Sequence, residues 1–449
     1  MDAAELDRQT RTQQDCVPPH LVTRLLERGH ADVVEHWAGQ GEWFCAREWA
    51  RMLAAEGRQA EALDVLAPYL ATGWWTASAT TAGLLETWGR AEEAIELSRT
   101  RMERGHPLAL EFHARLLARH GRADEAFTLL KPHIDDWSCA AALVDVVGDA
   151  GQDEEAAGLL AARVHDGHVC DSPWCCGRLD LDLATGLLAR VRERQGRVDE
   201  AVALLRTRAV TSLDGRDQLA DLLARHDRLD DLRAYAAADD LGDAVRSLAE
   251  LLEARGDVEG AIAAYREADA GVPHTSVSLA ELLARHGRGD EALEVIGRLA
   301  ETYGGEDWIL HALSELHLRL GRPEDGLARL DVLSAAREHP EDWSLFRTRL
   351  PLAAAAGRTD EAIARARAHP EGDTSYAARD IAELLAGAGR LEEAVEELRR
   401  HEGENVHELA GCLVGLGQVD EAVAVLHQDR HGPSEPTWDS AAWRAQTAH

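Results

Sequence analysis

The amino-acid sequence predicts an all-α fold: a right-handed α-α superhelix, or solenoid, of about 12–13 helix-turn-helix repeats. Three observations predict it. A short glycine-centred phrase recurs at near-constant intervals along most of the 449 residues. Small residues stand at fixed distances on both sides of it, and the runs between carry leucine at helical spacing. A chain this long exceeds what one core of ordinary shape can serve, whereas a stack adds core as it grows.

The phrase is a glycine, usually an arginine, then two acids and an alanine. It reads GRQAEA at Gly57, GRAEEA at Gly89, GRADEA at Gly121, GQDEEA at Gly151 and GRVDEA at Gly196. It continues as DRLDDL at Asp227, GDVEGA at Gly256, GRGDEA at Gly287 and GRPEDG at Gly321. GRTDEA at Gly357, GRLEEA at Gly389 and GQVDEA at Gly417 complete the series, and a worn copy, GHADVV, stands at Gly29. Intervals are 28 to 36 residues, except the 45 from Gly151 to Gly196.

Each part has a physical job. Glycine supplies the left-handed backbone that ends a helix without a Cβ penalty. The acids, such as Asp124 and Glu125, stand where a new helix begins and are expected to cap its free amides and meet its dipole. Alanine five residues past the turn (Ala62, Ala94, Ala126) and seven before it (Ala50, Ala82, Ala114) leaves room for close helix approach. Leucines such as Leu117 and Leu130 complete one apolar face per helix. Two helices of about 12 residues cannot bury those faces alone, so the units stack.

Period, turn glycine and flanking small residues make the unit resemble the tetratricopeptide repeat (TPR) over roughly residues 15–427, with an arginine- and alanine-rich composition of the actinobacterial type. Leucine stands where that family often has tyrosine or another aromatic. The resemblance implies that first helices line a concave groove, with the positions six, ten and thirteen residues before each turn facing a bound protein or peptide. On that implication the partner-groove candidates are Arg47, Glu250, Trp308, His311, Arg347, Tyr376, Arg379 and Glu383. Asp221, Glu250, Glu281, Glu315 and Glu383 form an acidic ladder six before the turn. Arg47, Arg246, His311, Arg347, Arg379 and His407 form a basic one ten before it. Asp221–Arg225, Glu281–Arg285 and Glu315–Arg319 are spaced as (i, i+4) ion pairs, which leaves Glu250, Arg347 and Arg379 uncompensated. The lysine-asparagine clamp by which some members of the family hold a chaperone's C-terminal carboxylate is not available. Lys131 and Asn405 are the sole residues of their kinds.

Asp and Glu number 81 against 48 Lys and Arg, a formal charge of −33. Such a surface repels nucleic acid and the membrane surface and favours a protein or peptide partner of basic character. No apolar run approaches the ~20 residues of a membrane span. No apolar leader occupies Met1–Gln14, and seven cysteines are an odd number in a long chain, so a cytoplasmic protein is expected. No phosphate-binding loop, dinucleotide fingerprint, HExxH or GxSxG elbow occurs, and no enzyme and no cofactor is expected.

Function in solenoids often sits where the repeat breaks. The long interval holds a Cys/His-rich insert near 165–180, where His165, His168, Cys170, Cys175 and Cys176 would suit a tetrahedral zinc ion. Their spacing lacks paired CxxC half-sites, and an inserted loop with partly buried thiols is the plainer reading. Pro351 falls inside a first helix, and Pro68 and Pro132 near the ends of second helices, where each should break, bend or stop the helix. Trp43, Trp75, Trp137, Trp308, Trp343 and Tyr376 form a column at the starts of first helices, expected to pack between repeats. Residues 1–17 read as a flexible N-terminal arm, 18–427 as the solenoid with a cap-like first pair, and 428–449 as a capping helix or tail. The resulting reading is a scaffold that holds a protein or peptide segment in an acidic groove. A peptide-sensing regulator, and a metal protein or enzyme using the 165–180 insert, are the alternatives.

Overall fold

The computed structural model describes the chain except residues 1, 15, 107, 166–176, 209–211, 214–215, 240–241, 269–272, 304–305, 337–340, 402 and 428–449. Among the described residues the fold is an all-α, TPR-like array of paired helices, and none of these is long and apolar enough to cross a membrane. The chain divides into two compact units: residues 1–80 with 359–449, and residues 81–358.

The first unit begins with α1 (Ala3–Thr12), α2 (Pro19–Glu27), α3 (Ala31–Gly39), α4 (Trp43–Ala55) and α5 (Gln59–Ala71). The chain passes into the second unit within α6 (Trp75–Thr87), followed by α7 (Ala91–Glu103), α8 (Ala109–Arg119), α9 (Ala123–Leu130), α10 (Trp137–Ala150) and α11 (Asp153–His165). Next come α12 (Leu181–Arg194), α13 (Val198–Leu205), α14 (Gln218–Arg225), α15 (Leu229–Ala236), α16 (Asp243–Ala254) and α17 (Val258–Glu267). A two-residue hairpin, Ser212–Leu213 against Arg216–Asp217, precedes α14. The second unit closes with α18 (Pro273–Arg285), α19 (Gly289–Thr302), α20 (Asp307–Arg319), α21 (Pro323–Ala335), α22 (Trp343–Phe346) and α23 (Leu350–Ala355). The first unit resumes with α24 (Thr359–Ala368), α25 (Ser375–Gly387), α26 (Leu391–Arg399), α27 (Val406–Gly415) and α28 (Val419–Leu426).

The turn phrase works as its glycine demands. Gly121 has φ +74°, and the amide of Arg122 donates to the Leu117 carbonyl at 2.9 Å, the closing bond of a Schellman turn. At the one repeat turn without a glycine, Asp227 adopts the same left-handed backbone with φ +59°. The flanking alanines, among them Ala50, Ala62, Ala114 and Ala126, are fully buried, which lets the paired helices approach closely.

The acids do not cap the helices as expected. Arginine occupies the N-cap position of α9, α13, α19 and α26, and none of these helices has a side-chain cap bond. The turn arginine instead grips the acid three residues on: Arg390 holds Glu393 at 2.6 Å with two donors. The same guanidinium reaches Asp360 of the preceding repeat at 2.5 Å. Arg228 to Asp199 (2.6 Å) and Arg288 to Glu259 (2.9 Å) repeat that bridge. A second clasp closes first helices from below: Glu253 takes Arg285 at 2.9 Å and His286 at 2.8 Å, and Glu86 and Glu193 do the same with Arg119-His120 and Arg225-His226.

The irregular places divide. Pro351 interrupts its first helix, which runs as α22, a 3-10 turn at Arg347–Arg349 and then α23. Pro132 follows α9 in a 3-10 turn, but Pro68 lies inside α5, which continues to Ala71. The aromatic column does not share one role. Trp43 and Trp343 are buried, Trp43 edge-on to Tyr69 and Trp74, whereas Trp137 and Tyr376 are exposed. Long indoles at a helix start take whichever surface the neighbouring repeat leaves.

Most of residues 1–17, read from the sequence as a flexible arm, forms α1. Asp2 caps α1, Leu6 is buried, and Asp7 accepts the Trp74 indole N–H at 2.6 Å. The first repeat is not a solvent-facing cap either. Within the first unit α2 packs on α27, and Arg28 donates to the Gly415 carbonyl at 3.0 Å. Buried Glu42 accepts from the Val17 amide (3.3 Å) and pairs with His427 (2.8 Å), whose ring stacks on Trp37. The expected C-terminal capping segment, 428–449, lies outside the described residues.

Candidate functional site

The eight groove candidates are divided between the two units. Arg47, Tyr376, Arg379 and Glu383 belong to the first unit; Glu250, Trp308, His311 and Arg347 belong to the second. Arg47 is half-buried, paired with Glu48 at 2.8 Å and set over the Phe44 ring. The Tyr376 hydroxyl bonds Glu371, which pushes its pKa up. Trp308 is half-exposed, stacks on His274 with ring centroids 4.5 Å apart, and donates to Glu306 at 2.8 Å. His311 and Glu383 are exposed.

The charge pairing differs from the sequence expectation. Arg225 and Arg285 turn away from Asp221 and Glu281 and bind Glu193 and Glu253 of the preceding repeats instead. An (i, i+4) pair is worth only about 0.2–0.5 kcal/mol, whereas each neighbouring carboxylate accepts a two-donor fork from the arginine and a bond from the adjacent histidine. Glu250 and Arg347 have interactions of their own, and Arg379 lies 4.0 Å from Asp380, so these three are not uncompensated. In the 165–180 insert His165 is the exposed last residue of α11. His168, Cys170, Cys175 and Cys176 lie outside the described residues.

Two recesses between first helices use the register that the repeat implies. Between α18 and α20, Glu281 and Glu315 stand over Val277, Ala280 and Ala312, with Arg319 beside them. Between α12 and α14 a larger cavity of about 690 Å³ opens. Leu183, Gly186 and Arg190, at thirteen, ten and six residues before Gly196, line it together with Asp221, Gln218 and Arg208. Its arginines are mostly paired: Arg190 with Asp145 at 2.8 Å, Arg194 with Asp153 at 2.6 Å, Arg225 with Glu193 at 2.9 Å.

No protein-family model matches the chain, and no curated protein matches it in sequence. Solved structures do resemble it. That of Naa15/Naa10 bound to HypK-THB is 14% identical with a TM-score of 0.39, covering 91% of this chain and 74% of that one. A tetratricopeptide repeat protein from Parabacteroides merdae ATCC 43184 is 14% identical with a TM-score of 0.28, covering 65% and 98%. Yeast Tom70 is 11% identical with a TM-score of 0.29, covering 89% and 98%. Overlap this loose leaves the reading of the site to the chain's own geometry.

None of the eight sequence candidates lines the α12–α14 cavity. At the register where other repeats carry Arg246, His311 or Arg379, α12 has Gly186, and at the acidic-ladder register it has Arg190. Those two departures were visible in the sequence. Arg208 lies in a connector, outside any register, and no pattern pointed to it.

Proposed function

We propose that the chain is a protein-binding scaffold that holds an extended, basic protein or peptide segment along its acidic first helices. The cleft between α18 and α20 carries this reading: Glu281 and Glu315 line it together with Arg319 and the small apolar side chains of Val277, Ala280 and Ala312. Glu250 repeats the register on α16 and is exposed. One acid per repeat, on three successive first helices, gives an extended chain evenly spaced charge contacts, while the small apolar side chains take its aliphatic parts. A formal charge of −33 adds long-range attraction for a basic partner and disfavours nucleic acid and anionic membrane surfaces. A cytoplasmic setting and an actinobacterial-type origin fit the composition.

The test is selection of random peptides displayed against the whole protein. Enrichment of Lys or Arg is expected. In Glu250→Arg/Glu281→Arg/Glu315→Arg the selected basic peptides should bind about tenfold more weakly or worse, because several surface pairs are lost together. Unchanged binding by that variant would remove the acidic ladder from the binding surface.

A further inference from the structure

The α12–α14 cavity brings four arginines, Arg190, Arg194, Arg208 and Arg225, to its walls beside the ladder residue Asp221. Arg208 is its odd member. Among the described residues no carboxylate lies within ion-pair distance of it, while Arg190, Arg194 and Arg225 are each satisfied. Its one side-chain partner is neutral: Nη1 donates to Gln218 Oε1 at 2.7 Å. Its Nε is buried and bonds nothing. Burial holds its pKa below the usual arginine value; Asp182, Asp180 and Asp217 act against that shift without offsetting it. A half-buried guanidinium with one amide partner is undercompensated, and an incoming anion would gain what the fold leaves unused.

The surroundings are built around this group. Gln218 cannot present its nitrogen to Arg208, because that nitrogen donates to the Gly186 carbonyl at 2.9 Å and so fixes the oxygen toward the arginine. Gly186 makes the room. A Cβ there would stand 2.7 Å from Gln218 Oε1 and 3.0 Å from Arg208 Nη1, so any side chain at this register would displace both. Leu183 and Leu187 supply apolar wall, which strengthens a charge-assisted bond by excluding water. Asp221 and Glu193, the latter already bonded to Arg225 and His226, both line the cavity, and Asp180, Asp182 and Asp217 act on Arg208 from nearby. A singly charged, planar acceptor therefore suits the site better than a dianion; a guanidinium binds such an acceptor with two parallel bonds.

We infer that the α12–α14 cavity is a carboxylate-binding point in which Arg208, oriented by Gln218 and given space by Gly186, receives an acidic group of the bound segment. This deepens the scaffold reading and rests on it: the partner is basic where it meets Glu250, Glu281 and Glu315 and carries an Asp or Glu where it meets α12.

The experiment uses the full chain in two arms. Peptides selected by display are resynthesised with each Asp or Glu changed to its amide and titrated against wild type, Arg208→Gln, Arg208→Lys and Gly186→Ala. One acidic position should matter: its amide form binds wild type at least about tenfold more weakly, as for a lost bond to a charged group. Arg208→Gln should erase that difference, Arg208→Lys should restore part of it, and Gly186→Ala should weaken the acidic peptide alone. In the second arm free butyrate, a monoanion, is titrated while the Gln218 side-chain amide is followed by NMR, which separates a small-molecule carboxylate from a peptide one. Peptide binding with no acidic preference, or a preference that persists in Arg208→Gln, overturns the inference and leaves the scaffold reading intact. Butyrate binding without any peptide binding keeps the carboxylate point and removes the scaffold reading. Neither ligand shifting Gln218 overturns the inference.

Discussion

Arginine does most of the polar joinery in this chain, for a reason found in its shape. A planar fork can hold two carboxylates at once, so Arg390 serves Glu393 in its own helix and Asp360 in the repeat before. A lysine point charge serves one. Nine of the thirteen turn phrases carry this arginine, yet genome-wide bias explains its abundance equally, and composition alone could not separate the two. Buried histidines are a second residue-scale feature. His113 bonds Ser98 at 2.8 Å and His317 bonds the Leu313 carbonyl at 2.8 Å, and burial lowers the pKa of both. A folded pKa below the unfolded value near 6.5 means that the unfolded chain takes up these protons first. Their contribution is therefore complete above about pH 6.5 and is lost as pH falls through the lower folded values. We predict a lower urea midpoint at pH 5.5 than at pH 7.5, with a smaller drop in His317→Met. Ring resonances of His113 and His317 should titrate below the free-histidine range; ordinary titration of both would contradict the burial argument.

At the scale of the helix pair, what was legible is what repeats. Turn glycines, small residues at the closest approach and leucines at helical spacing locate nearly every helix, because each acts within one repeat. Gly121 isolates the backbone part of that code: its φ is +74° and nothing lies within 4 Å of where a Cβ would go. Gly121→Ala should therefore cost about 1–2 kcal/mol, the left-handed penalty, with no steric addition. A denaturation midpoint unchanged from wild type would show that the turn had relaxed to another backbone. What was not legible is what passes between repeats. The sequence places Arg285 four residues after Glu281, but the competing acceptor, Glu253, is 32 residues away and visible only once the helices stack. The candidate site suffered in the same way. Its register was readable, but the connector residue Arg208 becomes meaningful only beside Gln218 and Gly186.

At the scale of the whole molecule, the contact between α2–α3 and α27–α28 changes how the first unit should open. In an array of nearest-neighbour contacts a terminal repeat frays independently of the other end. Here the first and last described repeats cover each other across sequence separations such as the 385 residues from Glu42 to His427. No repeat code specifies such a contact, which is why a flexible arm and separate caps were the natural expectation. Glu42 is its buried anchor, bonded to the Val17 amide and to His427. Glu42→Ala leaves both donors without that partner in a buried setting and should cost about 1–3 kcal/mol. The informative quantity is where the loss appears. Amide hydrogen exchange should accelerate about tenfold or more in α2 and in α27–α28 together, because each covers the other, while α8, α9 and α18 keep their protection. Acceleration confined to the residues around Glu42, with α27 and α28 unaffected, would mean that the two ends touch without stabilising each other.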